Sequence, residues 1–581
     1  MKNKVRSIIA VVCLLSLMLT GCGPRISNNL EDNLDKLMEK AEQLQSQQTE
    51  PTRAQEEEPT EEPTEKPDEE PTEEPTEAPT EETEFTHYDD MEYTRPDMEE
   101  LEEALDAVCQ AAEDGDLDEI VDGIYEFYDL YDWFYTNLSL ADIRCSADLT
   151  DEYWNEEYSF CMEASSRVDA ALEELYYALA ASPCREELEG EDYFGEGYFD
   201  SYEGENPWGE EYTQLLQQES ELTNLYYELS TVGLEYDYSS DEYYEACGDE
   251  MMELLVELIR VRQEIAAYWG YDDYTQYATD AYYYRDYTPR QMEKYLKQIR
   301  KELVPLYTDL YWTVSTSGWT SYSSEKKTFA YVRDAAKAMG GTVEEAFDLM
   351  EKAGLYDISY GKNKYNSSFE VYLTSYEEPY LFVNPEKSTY DHLTFAHEFG
   401  HFCNDYASYG SSVGVDVLEV FSQGMEFLSL CYGDANEKLL KLKMWDCLSL
   451  FVEQAAFASF ELQMYDLKDD ELTVENLRKL YDQVAKDYGF ETMGYDDREF
   501  VTVNHYYTHP MYIISYIVSN DTALQIYQLE QEEPGAGLKC YEENLDTEQY
   551  YFLEFLEEAG LESPFDSGRI EWIRETFEDV F

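Results

Sequence analysis

Histidine is scarce in this sequence, with six in 581 residues, so any pattern among them carries weight. Positive charge is equally short: 39 Lys and Arg stand against 130 Asp and Glu, a formal net charge of −91. Such a surface repels phosphate, which excludes DNA, RNA and the headgroups of anionic lipids as partners. No two cysteines form a CxxC pair. Setting aside Cys13 and Cys22 near the N-terminus, the rest are scattered singly from Cys109 to Cys540, so neither a dithiol redox motif nor a disulfide framework is legible. Apolar runs are short as well; the one near the N-terminus spans about a dozen residues, less than a membrane span needs. The acidity does not imply disorder, because 43% of the residues are hydrophobic. At this length two or more packed units are expected.

What is present begins with "MKNKVRSIIAVVCLLSLMLTGCGPR". Lys2, Lys4 and Arg6 precede the apolar run, which ends in Leu19-Thr20-Gly21-Cys22. That order reads as a secretory signal over residues 1–21. Its last four residues resemble a bacterial lipoprotein cleavage box, in which the cysteine is acylated and becomes the new N-terminus. The plainer alternative is an ordinary signal with a chance cysteine. Cleavage would remove three basic residues and no acidic one, giving 36 − 130 = −94. Anchoring would therefore rest on acyl chains at Cys22 and not on charge. Residues 22–50 follow as a weakly amphipathic segment. In residues 51–85, Pro59, Pro63, Pro67, Pro71, Pro75 and Pro79 recur every four residues among glutamates. Proline at that density forbids regular helix and the like charges extend the chain, so the stretch reads as a spacer on the order of 100 Å long.

Beyond residue 95 the dominant period is helical. Met251, Leu254, Leu255, Leu258, Ile259 and Ile265 fall on one stripe, and residues 442–465 repeat the pattern. An N-terminal helical subdomain over 95–330 and a catalytic subdomain over 331–581 are expected. Residues 190–212 read as an acidic surface loop. One region departs from helix: "SSFEVYLTSYEEPYLFVNP" alternates apolar and polar residues, breaks at Glu377-Glu378-Pro379 and resumes, which predicts two short strands. An exposed edge of such a sheet binds extended peptide through backbone hydrogen bonds.

Directly after the strands comes "TFAHEFGHFCNDYASY". His397 and His401 are i and i+4, so on a helix both imidazoles leave one face a turn apart, the spacing two ligands of one metal require. Glu398 lies beside them, placed to reach the attacking water without ligating. Chance would put His-Glu-x-x-His in roughly one chain in a hundred of this composition. A catalytic zinc takes three protein ligands and keeps one open position. A third histidine six residues on is absent, since that position is Ala407. The next candidate helix, "VDVLEVFSQGMEFL", carries Glu419, Gln423 and Glu426 on one face among large apolar residues. A solvated acidic face is the plain alternative, but buried carboxylates need a partner, which points to Glu419 as the third ligand and Glu426 as the group that orients a ligand histidine. His392 and His509 read as structural.

The run "HEFGH" followed by "DVLEVFSQGMEF" resembles the thimet oligopeptidase and oligoendopeptidase F family of zinc metallopeptidases. The preceding "GKNKYNSSFEVYLTSYEEPYLFVN" is similar to that family's glycine-led strand pair, and "HYYTHPMYIISYIVS" to its late histidine and tyrosine segment. Two departures stand out: the loop between His401 and Glu419 is short, and Tyr512 is followed by Ile513 where relatives often carry a second tyrosine. The resemblance implies a mainly α fold, two helical halves flanking a deep substrate channel with a small β-sheet next to the zinc helix. It implies one Zn²⁺ per chain, Glu398 as general base, and His505, Tyr512 and Tyr516 as candidates to stabilise the oxyanion. The expected protein is a monomeric, lipid-anchored oligoendopeptidase that hydrolyses short peptides at the outer face of the cell membrane. The alternative is a catalytically inactive peptide-binding lipoprotein.

Overall fold

The computed structural model describes residues 85–581 apart from short stretches at 191–192, 196, 200–201, 203–209, 234–235, 237–239, 315–316, 366, 411–412 and 548. The signal, residues 22–50 and nearly all of the spacer lie outside the described residues. Among the described residues no helix is long and apolar enough to cross a membrane.

The first three long helices are α1 (Met98–Asp114), α2 (Leu117–Ala147) and α3 (Glu152–Ala181). Each opens on an aspartate N-cap, Asp97, Asp116 and Asp151, whose carboxylate accepts backbone N–H groups of the first turn. Those donors would otherwise be unsatisfied, and the negative charge suits the helix dipole. Their apolar stripes meet around Val108, Ile120, Phe127, Val168 and Leu175 in a core of their own. Phe199 is fully buried in that core. Phe194 and Tyr202 pack against the same core, so these described residues of the acidic segment are held by sparse aromatics that no periodic pattern announces.

A second, larger core runs from Tyr212 to Phe577 and also takes in Met91, Leu140 and Ile143. It crosses residue 330, where the sequence reading places a subdomain boundary. The stripe that starts at Met251 forms α5 (Asp249–Tyr268), packed on α4 (Glu210–Gly233). A capping box between Thr288 and Gln291 starts α6 (Pro289–Glu302), and α7 (Glu325–Met339) and α8 (Gly341–Ala353) follow.

The sheet has the order β1-β3-β2, with β1 (Tyr356–Asp357) parallel to β3 (Glu378–Val383) and β2 (Ser368–Leu373) antiparallel to it. The two expected strands are β2 and β3; β1 is too short for any period to register. The break falls earlier than read. Glu377 takes the left-handed conformation at the turn, while Glu378 and Pro379 already belong to β3. Proline is tolerated in this central strand because β1 pairs only with Leu381 and Phe382 and asks no donor of Pro379. Phe369 and Phe382 face each other in register and stack at 4.7 Å.

Four of the helices that follow in the large core build the site: α9 (Asp391–Ser408), α10 (Val415–Tyr432), α11 (Glu437–Tyr465) and α12 (Ile513–Glu532). The sheet lies against α9, α9 against α10, and α10 against α12. Glu461 of α11 accepts the backbone N–H of Met511 at 2.7 Å. Burial pushes its pKa up to about 8 against that bond and the nearby Arg262 and Arg285 charges. A carboxyl raised in the folded state binds its proton more tightly there than when unfolded. Its contribution to stability is thus complete below the ordinary carboxylate range near 4.5 and is lost as pH rises through 8. Glu461→Gln should remove that part of the pH dependence: denaturant midpoints of the two proteins should diverge in favour of the variant between pH 5 and 9, and parallel curves would refute the assignment.

Candidate metal centre

Helix α9 is buried along most of its length, and the packing of α10 across it builds the site. Gly400 lies at the crossing. A Cβ there would stand 2.5 Å from the Phe421 carbonyl oxygen and 2.7 Å from the Ser422 Cα, both backbone atoms of α10. Only glycine lets the two helices approach this closely. Gly400→Ala should force them apart, with a stability loss of about 1–3 kcal/mol and weakened metal binding. Full metal binding and an unshifted melting temperature in that variant would contradict this close fit.

The close approach brings Glu419 of α10 opposite the histidine pair of α9. One donor atom from each of His397, His401 and Glu419 lies within 4.8 Å of the other two, and all three residues are buried. The His397 Nε2 to Glu419 Oε2 separation is 3.6 Å. Ligands at zinc's usual bond lengths in a tetrahedron stand roughly 3.3 Å apart, so small side-chain adjustments suffice. Two of the polar atoms converging here, His397 Nε2 and Glu419 Oε1, have no hydrogen-bond partner among the described residues. Buried polar atoms are costly without one, and a divalent cation would satisfy both. Two imidazoles and a carboxylate also match zinc's preferred donor set. The residues therefore fit zinc.

The atoms behind these donors are tied down. His397 Nδ1 hydrogen-bonds Glu426 Oε1 at 3.0 Å, which leaves Nε2 as the atom facing the site. Burial pulls the His397 pKa down, but the Glu426 bond and the Glu398 and Glu419 charges outweigh it and raise the value to about 9. The site thus favours positive charge on that ring. His401, buried and next to His397, is driven well below its ordinary pKa and stays neutral. Glu426 is anchored in turn by the buried Lys443 ammonium at 2.8 Å. Glu419 Oε2 accepts from Ser422 Oγ at 2.9 Å, and Glu419 also takes a hydrogen bond from Tyr512. Glu426→Gln removes a charge-assisted bond to a ring facing the metal position, so zinc affinity should drop about 10–100-fold. Competition against a fluorescent chelator would measure it; an unchanged affinity would deny Glu426 its orienting part.

Glu398 points towards β2. Its Oε1 accepts from Ser368 Oγ at 2.6 Å, while Oε2 has no hydrogen-bond partner among the described residues. Burial, partly offset by the His397 charge, raises its pKa to about 7, where a carboxylate both accepts and releases protons near neutrality. His505 Nε2 and the Tyr516 hydroxyl are 3.1 Å apart, and Tyr512 and Tyr516 rings lie 5.1 Å apart. Burial lowers the His505 pKa to about 3, so its imidazole is neutral. His392 bonds Ser323 Oγ at 2.8 Å and stacks on Tyr331. His509 bonds the neighbouring Thr508 hydroxyl at 2.9 Å.

All sequence-derived candidates from Glu398 to Tyr516 are buried side chains. Three groups that hold them escaped the sequence reading. Ser368 is one polar residue among several in an alternating strand, and nothing in the letters ties it to Glu398. Ser422 neighbours Gln423 without distinction. Lys443 did leave a trace, as a charged residue inside the apolar pattern of α11.

Residues 88–206 match the family model of the peptidase M3 N-terminal domain. A search of curated protein sequences finds no match. Among solved structures the chain is similar to a protein described as an oligoendopeptidase F, with 22% identity, 85% of this chain and 98% of that one covered, and a TM-score of 0.70. PZ peptidase A, in a complex with an inhibitor, gives 21% identity, 84% and 98% coverage, and a TM-score of 0.70. A Bacillus anthracis protein, also described as an oligoendopeptidase F, gives 22% identity, 86% and 98% coverage, and a TM-score of 0.68. Identities this low speak to the fold. Residues 88–206 thus carry a peptidase M3 N-terminal domain, and the chain as a whole has the fold of the oligoendopeptidase F structures.

Proposed function

We propose that the protein is a zinc-dependent oligoendopeptidase, with one Zn²⁺ held by His397, His401 and Glu419. The observation that carries the reading is the convergence of these three buried donors within 4.8 Å beside a carboxylate, Glu398, fixed by Ser368. When bound, zinc would supply Lewis-acid polarisation of the scissile carbonyl and lower the pKa of a water at its open position. Glu398 Oε2 takes the proton of the attacking water and passes it to the leaving amine; Ser368 holds the other oxygen so that the carboxylate cannot swing away. Charge growing on the carbonyl oxygen calls for hydrogen-bond donors, and His505, Tyr512 and Tyr516 are the candidates. Tyr516 is bonded to the neutral His505 ring, so those two act as a pair. Short peptides are the substrates in this reading, cut by one chain working alone.

The test uses an internally quenched peptide library. Cleavage that a chelator stops and added zinc restores is expected. Peptide binding without cleavage would instead fit an inactive peptide-binding lipoprotein. Placement at the outer face of the cell membrane rests on the N-terminal residues: acylated Cys22 as the anchor and residues 51–85 as the spacer. Metabolic labelling with a fatty-acid analogue should mark the protein and fail in Cys22→Ser; equal labelling of both would remove the anchor from the proposal.

A further inference from the structure

Arg285 has no place in the chemistry above, yet its side chain is almost completely buried and each of its three nitrogens reaches a different acceptor. Nε bonds Asp416 Oδ2 at 3.2 Å, Nη1 bonds the Met511 carbonyl at 2.9 Å, and Nη2 bonds Ser515 Oγ at 2.7 Å. Each acceptor sits one short step from a group at the metal centre. Asp416 is in the first turn of α10, three residues before Glu419. Met511 directly precedes Tyr512, and Ser515 directly precedes Tyr516. Because Tyr512 bonds Glu419, the contacts close a ring: Arg285 to Asp416, along one helical turn to Glu419, across to Tyr512, and back through Met511 to Arg285.

Met511 makes the ring informative. Its φ is 66°, a left-handed conformation that a non-glycine residue seldom adopts unless its surroundings impose it. Arg285 holds its carbonyl, Glu461 holds its N–H at 2.7 Å, and the Tyr283 hydroxyl holds the preceding Pro510 carbonyl at 3.1 Å. The Tyr287 hydroxyl adds a second bond to Asp416 Oδ2 at 2.7 Å. Tyrosine 512 therefore leaves the backbone in a direction that these buried groups dictate.

We propose that Arg285 is a positioning residue: it ties the first turn of α10 to the start of α12 and so sets where the Tyr512 hydroxyl lies relative to Glu419. This rests on the peptidase reading for its kinetic consequence, not for its geometry. Lysine cannot substitute, because three acceptors in three directions need a planar fork and an ammonium offers a single point.

Arg285→Lys keeps a positive charge next to Asp416 and breaks the fork. Its kcat on the quenched peptide should fall about tenfold or more while KM stays within about twofold, as for a misplaced group that acts on the transition state. In a Tyr512→Phe background the same change should alter kcat by less than about twofold, since the hydroxyl it positions is gone. An equal loss in both backgrounds would make Arg285 ordinary structural support and overturn the proposal. A crystal structure of metal-free R285K gives the second readout. Met511 should leave the left-handed region and the Tyr512 hydroxyl should part from Glu419; a Tyr512 still seated on Glu419 would overturn the proposal. Should R285K not fold, Ser515→Ala removes one acceptor only and takes both measurements, with the same changes expected in smaller size. A chain that cleaves no peptide with zinc present would sink the peptidase reading, while the crystallographic result would still decide the role of Arg285.

Discussion

Glu398→Gln should retain a full complement of zinc and lose nearly all peptide cleavage. Glutamine keeps the shape and can still accept the Ser368 bond to Oε1 at 2.6 Å, so the pocket is preserved. It has no basic oxygen to take a proton, which removes general-base catalysis, an effect of about 10²–10⁴-fold. Glu398 is not among the three converging donors, so metal content should not move. Inductively coupled plasma analysis and initial rates on the same sample separate the two quantities. Rates near the parent's would show that another group takes the proton. Loss of zinc along with activity would mean that Glu398 is a ligand.

His401→Ala has the larger structural consequence. It deletes one of three donors and leaves Glu419 buried beside His397 with a poorer partner. Zinc should no longer bind stoichiometrically, and activity should fall to background. A ligand held only by the folded state stabilises it by about 4 kcal/mol at a thousand times its Kd. The parent should therefore melt at a higher temperature with added zinc than with chelator, and the variant should show no such difference. A variant that keeps both zinc and the zinc-dependent melting shift would require a different ligand set.

Much of the site was legible because its key relations are local. His397 and His401 are i and i+4, and helical geometry alone puts them a turn apart. Glu419 and Glu426 share one face of one helix, and their apolar neighbours announce burial. The chain between them, residues 402 to 418, says nothing of how the two helices cross. Gly400 hints at it, since a glycine inside a helix costs stability and asks for a reason, but only the structure shows the α10 backbone that fills its empty side. The groups that complete the site come from far away in sequence: Ser368 from a strand 30 residues before Glu398, and Lys443 from the next helix after Glu426. Arg285 lies more than a hundred residues from Asp416 and over two hundred from Met511.

Periodicity behaves in the same way. It marks α5 and α11 because their stripes are long, and it marks β2 and β3 because they alternate. It misses the two-residue β1, whose partner is set by the fold, and it misses the aromatic anchoring around Phe199, which depends on a core formed by α1, α2 and α3. By itself the amino-acid order determined what local geometry can carry: helices and strands, the histidine pair, the acidic helix face. Tertiary packing alone decided which distant side chain satisfies each buried polar group. That choice depends on which surfaces exclude water together, and no short stretch of chain encodes it.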